Sequence, residues 1–299
     1  MDHRIEFTES ENPWAPTAVI AEINERTGSG LELVGLAEQT GGTSSAAYVQ
    51  WPDGRPGALT RTWTPLARMR QTADVLSMVR SHGLPVPRHD LVLELADGAV
   101  AVVQERLPGS HARHVDADVI DVMVDMNDRF TGLLTDYPDV PRPPAFPPPD
   151  DHRWHETVGR HSDRSRRLLG RLAEMDRDCA LETTGDDVVH LDYSVGNILF
   201  DQHGQISGVI DWNFGVARGD RRLALLGMKV HLTNEGDEYG AKIDGLDRLD
   251  TILSTTIDPT LLRLYWAHLT VHRVHWAIEN NLPPERIGQE LDLADRHVT

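Results

Sequence analysis

The spacing of apolar residues divides the chain into a strand-rich beginning and a more helical remainder. Short runs of alternating or β-branched apolar residues predict strands over residues 31–39, 46–51, 57–63, 90–95 and 99–105. Apolar residues three or four positions apart predict helices over residues 17–27, 65–81, 118–137, 154–178, from 221 onward and 259–279. Most predicted strands therefore lie in the first third of the chain, and helices dominate after it.

A further group of short apolar runs, joined by polar loops, interrupts the helical part. The runs cover residues 188–190, 197–201 and 206–210. His203 and Gly204 mark a turn between the last two runs, which therefore predict a β-hairpin. Pairing of its strands would bring Asn197 close to Asp211, which follows the last run.

The polar residues at the ends of these runs suggest a specific chemistry. An amide and a carboxylate oxygen, from Asn197 and Asp211, suit Mg²⁺, which binds through one or two protein oxygens together with phosphate and water. Asp192, in the preceding loop, is then available to act on a hydroxyl group. A carboxylate beside an alcohol and a metal ion is the minimum equipment for phosphoryl transfer.

The order and spacing of these residues resemble the catalytic core of the aminoglycoside phosphotransferase and choline kinase superfamily. The resemblance rests on His190-Leu191-Asp192, Asn197 and Ile210-Asp211-Trp212. It implies an α+β fold of the protein-kinase type, with ATP bound between two lobes. An antiparallel sheet with a helix would form the nucleotide-binding lobe over residues 1–106, and residues 107–299 would form a larger, mainly helical lobe for catalysis and acceptor binding.

The resemblance also implies roles for individual residues. Asp192 would be the catalytic base, and Asn197 and Asp211 would hold Mg²⁺. His190 would brace the loop, and Asp220 would be a structural residue near the site. The family usually has a second aspartate shortly after this Gly-Asp pair, and here Ala224 stands in its place.

Contacts with the nucleotide are expected from two loops. Gly42, Thr43 and Ser44 lie in a segment of small residues, whose backbone N–H groups can approach a phosphate closely. Glu105 and Leu107 lie where the chain would cross between the lobes, so backbone groups there would contact the adenine edge. The choice between ATP and GTP is not determined by the sequence.

One departure from the family pattern concerns the charge beside the phosphates. Arg61 stands in the predicted third strand, where the family has a lysine, and would supply a permanent positive charge. The following helix offers Gln71 or Thr72 where the family has a glutamate that pairs with the lysine. This departure keeps open the alternative of a degenerate, non-catalytic nucleotide-binding module.

Composition excludes several other classes of protein. A net charge of −18 argues against nucleic acid and anionic membranes as partners. The chain has one cysteine, Cys179, and a polar, acidic beginning, which favour a cytoplasmic protein without a disulfide framework. The sequence contains no GK[ST], GxSxG or complete GxGxxG motif, so P-loop, hydrolase and Rossmann functions lack support.

The acceptor is expected to be a small molecule. Acidic residues over 234–250 and aromatic residues over 259–279 suit a cation, so the first choice is a cationic antibiotic, either an aminoglycoside or a basic peptide. Glu238, Trp276 and Glu279 are the candidate acceptor-binding residues. A kinase for a choline-, homoserine- or sugar-like alcohol is the second choice, and the sequence does not determine the oligomeric state.

Overall fold

The structure is a computed structural model that describes residues 15–37, 46–143, 152–178, 185–236 and 239–298. The chain divides into two compact units. Met1–Arg113 and Val195–Val216 form the first, and His114–Ser194 and Ala217–Thr299 form the second. The boundary expected between residues 106 and 107 falls inside the first unit, which also takes in the predicted hairpin.

The first unit is built on an antiparallel sheet with strand order β1-β2-β3-β5-β4. Its first elements are α1 (Pro16–Thr27), β1 (Glu32–Leu36), β2 (Ala47–Gln50), β3 (Pro56–Thr62), α2 (Leu66–Ser81), β4 (His89–Glu94) and β5 (Val100–Glu105). Each coincides with a predicted element to within a few residues. The sequence was a sufficient guide here because each strand is a short apolar or β-branched run bounded by turn residues.

The two faces of this sheet carry different hydrophobic clusters. On one face, Leu59, Ala101 and Val103 pack with Val19, Ile20 and Ile23 of α1. Val100 and Val102 pack on the other face with Met69 of α2. The register pairs Leu59 with Val103 and Thr60 with Val102, so alternate residues of β3 face α1 and α2.

The second unit is mainly helical. Its elements are α3 (Ala117–Asp128), α4 (His152–His161), α5 (Asp163–Asp178), β6 (Asp187–His190), β9 (Val216–Gly219, whose first residue belongs to the first unit), α6 (Arg222–Glu235), α7 (Ile243–Thr256), α8 (Pro259–Glu279) and α9 (Pro284–His297). Strands β6 and β9 pair with each other. None of the described helices is long and apolar enough to cross a bilayer.

Two helix predictions in this unit needed correction, and two helices were missed. The predicted helix 154–178 is two helices, because the Ser162 hydroxyl accepts the N–H of Ser165 at 3.1 Å and caps the second one. The predicted helix 118–137 ends at Asp128, and its N-cap is Asp116, whose carboxylate accepts the N–H of Val119. Helices α7 and α9 were not predicted, although Ile287, Leu291 and Ala294 in α9 do follow a helical spacing.

Helices α4, α5, α8 and α9 share one core. It contains Val158, Leu168, Leu172, Met175, Leu264, Ala267, Val271, Val274, Ala277, Ile287, Leu291, Ala294 and Val298. A buried ion pair, between Arg273 of α8 and Glu290 of α9 at 2.7 Å, lies between two of these helices. Such pairs favour one helix register over others, because an unpaired buried charge is costly.

The predicted hairpin is confirmed, with strands β7 (Ile198–Phe200) and β8 (Ile206–Val209). It belongs to the first unit because its strands bond to segments of that unit. The N–H of Val209 donates to the Pro85 carbonyl at 2.7 Å, and Ser110 and Phe200 exchange two backbone hydrogen bonds. Hydrogen bonding to a distant segment is invisible to local periodicity, so the sequence did not indicate which unit the hairpin joins.

Candidate active site

Asp192 lies in the loop after β6, in the second unit, and its backbone is held from both sides. Its N–H donates to Nδ1 of the buried His190 at 3.0 Å, and its carbonyl accepts the N–H of Ser194 at 2.9 Å. The next residue, Tyr193, is buried and donates its hydroxyl to the Met123 carbonyl at 2.7 Å. Burial raises the pKa of Tyr193, so the hydroxyl stays protonated and remains a donor.

Two aspartates hold the starts of β6, which precedes this loop, and of α6. Asp187, at the start of β6, accepts the N–H of Gly132 at 2.8 Å and the N–H of Arg221 at 3.2 Å. The buried Asp220 accepts the N–H of Arg222 at 2.9 Å and its guanidinium at 2.7 Å. Asp220 therefore braces the start of α6 within its own unit.

The structure places one residue beside Asp192 that the sequence did not indicate. Nε2 of His231, on α6, lies 3.2 Å from Oδ1 of Asp192, with the two side chains 28% and 24% exposed. His231 is almost forty residues further along the chain, in a helix whose pattern gives no sign of chemistry. Only the packing of α6 beside the loop brings the imidazole to the carboxylate.

Asn197 and Asp211 lie together at one end of the hairpin, in the first unit. Ile198 pairs with Val209, and the N–H of Ile210 donates to the Asn197 carbonyl at 2.9 Å. Asp211 has a φ of 60°, in the left-handed region that residues with a side chain rarely adopt. Such strain persists only where surrounding contacts enforce it, and it is common at functional sites.

The chemistry of these two donors fits a hard cation. Asn197 offers an amide oxygen and Asp211 a carboxylate, and both oxygens come from the same end of one hairpin. Among the described residues there is no cluster of three or more His, Cys, Asp or Glu side chains that could hold a metal ion. Asn197 and Asp211 would thus supply two of the ligands.

A group of threonine hydroxyls holds the segment that follows Asp211. Thr60 donates to the side-chain oxygen of Asn213 at 2.9 Å, and Thr62 and Thr64 donate to the Asn213 carbonyl at 2.8 and 2.7 Å. Three hydroxyls from β3 and the turn after it thus converge on Asn213. The alternation of threonine at positions 60, 62 and 64 was visible in the sequence. Nothing in the sequence indicated that Asn213 would be the partner of these hydroxyls.

Helix α2 holds the same segment three residues further on, at Val216. The Arg68 guanidinium donates to the Val216 carbonyl, and the Val216 N–H donates to the buried Thr72 hydroxyl at 3.1 Å. Burial lowers the pKa of Arg68. Gly215 has a φ of 78°, and a Cβ there would lie 2.9 Å from Nε of Arg68, so this close approach requires glycine.

Arg61 lies on β3, the predicted third strand, but not on the face of the sheet that packs against α2. A residue that replaces the family lysine should face α2, but Arg61 pairs with Ala101 in the register and shares the α1 face with it. Its guanidinium binds the Asp97 carboxylate at 2.5 Å and lies 4.6 Å from the centre of the Trp63 ring. The Ala99 N–H and, after it, Arg61 hold the pKa of Asp97 below its ordinary value.

On β3, which is described over its whole length, Thr60 and Thr62 occupy the α2 face instead. The sequence could not distinguish the two faces here because residues 60–62 are all polar, so the alternation that marks a face is lost.

Glu105 and Leu107 lie at and just after the end of β5. The Glu105 N–H donates to the Arg88 carbonyl at 2.8 Å, and its carboxylate pairs with Arg80 at 2.9 Å. Leu107 packs closely on Gly208 of the hairpin, where a Cβ would lie 3.1 Å from it. Gly109, with a φ of 126°, allows the chain to pass the Phe200 carbonyl, and the Ser207 hydroxyl donates to the Pro108 carbonyl at 2.6 Å.

The remaining candidates divide into two groups. Gly42, Thr43, Ser44 and Glu238 lie outside the residues that the structure describes. Trp276 and Glu279 lie on α8. The Trp276 side chain packs against the core shared by α4, α5, α8 and α9. Glu279 pairs with His275 at 3.2 Å, and its side chain is half exposed.

Comparison with protein-family models gives one match. Residues 38–217 match the model of the phosphotransferase enzyme family, more than half of the chain. This range includes the Asp192 loop, the hairpin and β3, and it confirms the resemblance inferred from the sequence. No curated protein matches the chain.

Several solved structures have a similar fold. APH(4)-Ia, an aminoglycoside phosphotransferase solved with ADP and hygromycin B, matches with a TM-score of 0.67 and 17% identity, over 94% of this chain and 98% of its own. An aminoglycoside-3'-phosphotransferase of type VIII matches with a TM-score of 0.57 and 19% identity, over 82% of this chain and 96% of its own. The amicoumacin kinase hAmiN, solved with AMP-PNP, Ca²⁺ and Ami, matches with a TM-score of 0.61 and 14% identity, over 88% of this chain and 89% of its own. The predicted α+β protein-kinase-like fold is confirmed.

Proposed function

Because this chain belongs to the phosphotransferase enzyme family, we propose that it transfers the γ-phosphate of ATP or GTP to a hydroxyl group of a small molecule. The observation that carries the proposal is the pair of carboxylates, Asp192 and Asp211, each held after a strand by its own network. One side chain suits a base and the other, with Asn197, suits a cation.

The proposed reaction uses Asp192 to orient the acceptor hydroxyl and to take its proton. The acceptor oxygen forms a bond to the γ-phosphorus, and the bond from that phosphorus to the bridging oxygen breaks. ADP or GDP leaves with the electron pair, and the proton passes to the Asp192 carboxylate. A base of this kind contributes about 10²- to 10⁴-fold to the rate, and the rest comes from positioning and charge neutralisation.

Asn197 and Asp211 would hold Mg²⁺, which would neutralise charge on the phosphates when bound. The residues of the first unit that support this proposal are those that keep Asp211 in its strained conformation. Thr60 and Thr62, with Asn213, hold the following segment. The threonine hydroxyls take the α2 face of β3, where the family has a lysine.

We propose a cationic antibiotic as the acceptor, and resistance to it as the biological role. Asp244 and Asp247 on α7 are exposed, whereas Asp250 pairs with Lys229 at 2.7 Å. Exposed carboxylates suit an aminoglycoside or a basic peptide, and structurally similar proteins have been solved with hygromycin B and with Ami. For Trp276 and Glu279 the core packing and the His275 pair favour structural roles over acceptor binding.

A panel of aminoglycosides, basic peptides and small alcohols, assayed for ADP or GDP release with Mg²⁺, tests the proposal. We expect turnover with at least one cationic antibiotic, and a loss of about 10²- to 10⁴-fold in Asp192→Ala. Asp136→Ala removes an exposed carboxylate of the same unit and is the matched control. Nucleotide-induced thermal stabilisation without turnover on any acceptor would instead identify a non-catalytic nucleotide-binding module.

A further inference from the structure

We propose that His231 is a positioning residue that orients the carboxylate of Asp192. This inference rests on the proposed function, since it assigns His231 a task only if Asp192 acts as the base. The observation behind it is the 3.2 Å distance between Nε2 of His231 and Oδ1 of Asp192. Both groups belong to the second unit, and both remain partly accessible to solvent.

The two ends of Asp192 are held by two different histidines. His190 accepts the backbone N–H of Asp192 through Nδ1, at 3.0 Å, which fixes the main chain of the loop. This main-chain contact does not by itself set the two side-chain torsions that aim the carboxylate. A carboxylate only accepts hydrogen bonds, so Nε2 of His231 carries the proton that lies between the two residues. His231 thus acts on the orientation of the carboxylate itself.

Helix α6, which carries His231, is tied down at several points. At its start, Arg221 donates to Asp187 and to Asp128, and Arg222 binds Asp220. Near its middle, the mostly buried Lys229 donates to Asp250 at 2.7 Å and to the Leu246 carbonyl at 3.3 Å. A donor on so well anchored a helix can hold its acceptor in one orientation.

The consequence for the reaction is a matter of geometry. The proton of the acceptor hydroxyl passes to Asp192, and the transfer is fast only if the carboxylate points at that hydroxyl. Misplacement of a reacting group by about 1 Å costs about 100-fold in rate. Removal of the His231 donor should therefore lower kcat while nucleotide binding, which uses other residues, is little changed.

The experiment compares His231→Ala and His231→Gln with the wild type, using ADP release on the best acceptor of the panel. We expect kcat to fall about 10- to 100-fold in His231→Ala, with KM for the nucleotide within about threefold. Glutamine places an N–H donor at a similar reach, so His231→Gln should recover most of the loss. His161→Ala, an exposed histidine of the same unit, is the control and should behave like the wild type.

The outcomes separate this inference from the proposed function. If Asp192→Ala retains full turnover, the proposed function is wrong, whatever His231 does. If Asp192→Ala is inactive but His231→Ala turns over like the wild type, only the role of His231 is refuted. Equal losses in the alanine and glutamine variants, or a loss confined to thermal stability, would also refute it.

A measurement without turnover covers the case in which His231→Ala does not fold. In an imidazole ¹⁵N–¹H spectrum, the His231 resonance is identified by its disappearance in His231→Gln. We expect a protonated Nε2 whose shift changes clearly in Asp192→Asn, because the acceptor loses its charge. An unprotonated Nε2 would overturn the pairing of His231 with Asp192. Identical His231 shifts in the wild type and in Asp192→Asn would overturn it too.

Discussion

The two aspartates of the candidate active site are held by opposite means. Asp192, in the second unit, follows the buried strand β6, and its loop is anchored by the buried residues His190 and Tyr193. Asp211, in the first unit, has a strained backbone with a φ of 60°. The segment that follows it is held by threonine hydroxyls and by α2.

The difference shows which neighbours matter to each carboxylate. A buried anchor stabilises the whole unit as well as the loop, so changes there should alter stability and activity together. Hydrogen bonds from partly exposed hydroxyls contribute less to stability, but they maintain a conformation that the backbone would otherwise leave. Changes at Asp211 and Thr60 should therefore affect function more than folding.

The largest expected effect is that of Asp211→Ala. Loss of a ligand should weaken apparent Mg²⁺ affinity by at least about 100-fold, since even residues that only support a ligand are worth about 10- to 100-fold. Nucleotide turnover measured against Mg²⁺ concentration gives this value. Asp53→Ala, an exposed turn carboxylate of the same unit, is the control. An unchanged Mg²⁺ dependence would remove Asp211 from the proposed metal site.

Tyr193→Phe should have an intermediate effect, seen in stability and activity alike. It deletes the hydroxyl that donates to the buried Met123 carbonyl, so the free energy of unfolding should fall by about 1–3 kcal/mol. Urea denaturation measures the loss, and ADP release should decline as the Asp192 loop loosens. Tyr137→Phe, at a partly exposed position, is the control. A stable variant with normal turnover would mean that the loop does not depend on this anchor.

The smallest effects distinguish the two faces of β3. Thr60→Val removes one hydrogen bond to Asn213 and should cost about 1 kcal/mol of stability, with a several-fold loss of turnover. Arg61→Ala removes a partner of Asp97 on the α1 face and should leave nucleotide affinity within about twofold. Urea denaturation and ADP release measure the two losses in Thr60→Val. Isothermal titration with ATP and Mg²⁺ measures the nucleotide affinity of Arg61→Ala. A large loss of affinity in Arg61→Ala would restore the phosphate-binding role first expected for that residue.

Local pattern was a good guide where one element contains all the information. Strands β2 to β5, helix α8 and the hairpin were predicted because each is marked by its own run or regular spacing of apolar residues. Local pattern did not reveal the break between α4 and α5, which depends on a single side chain, the Ser162 cap. It also did not indicate which face of β3 Arg61 occupies, because both faces are polar there. Helix α9 was missed because its buried residues are few among many charged ones.

The sequence by itself determined the family and the α+β fold, and it predicted Asp192, Asn197 and Asp211 as the candidate site, because those residues lie close together in the chain at a characteristic spacing. Only the tertiary structure placed His231 beside Asp192, turned Arg61 toward α1 and joined the hairpin to the first unit. The physical reason is the same in each case. These contacts join residues far apart in sequence, and their geometry depends on how whole elements pack rather than on the local pattern of any one of them.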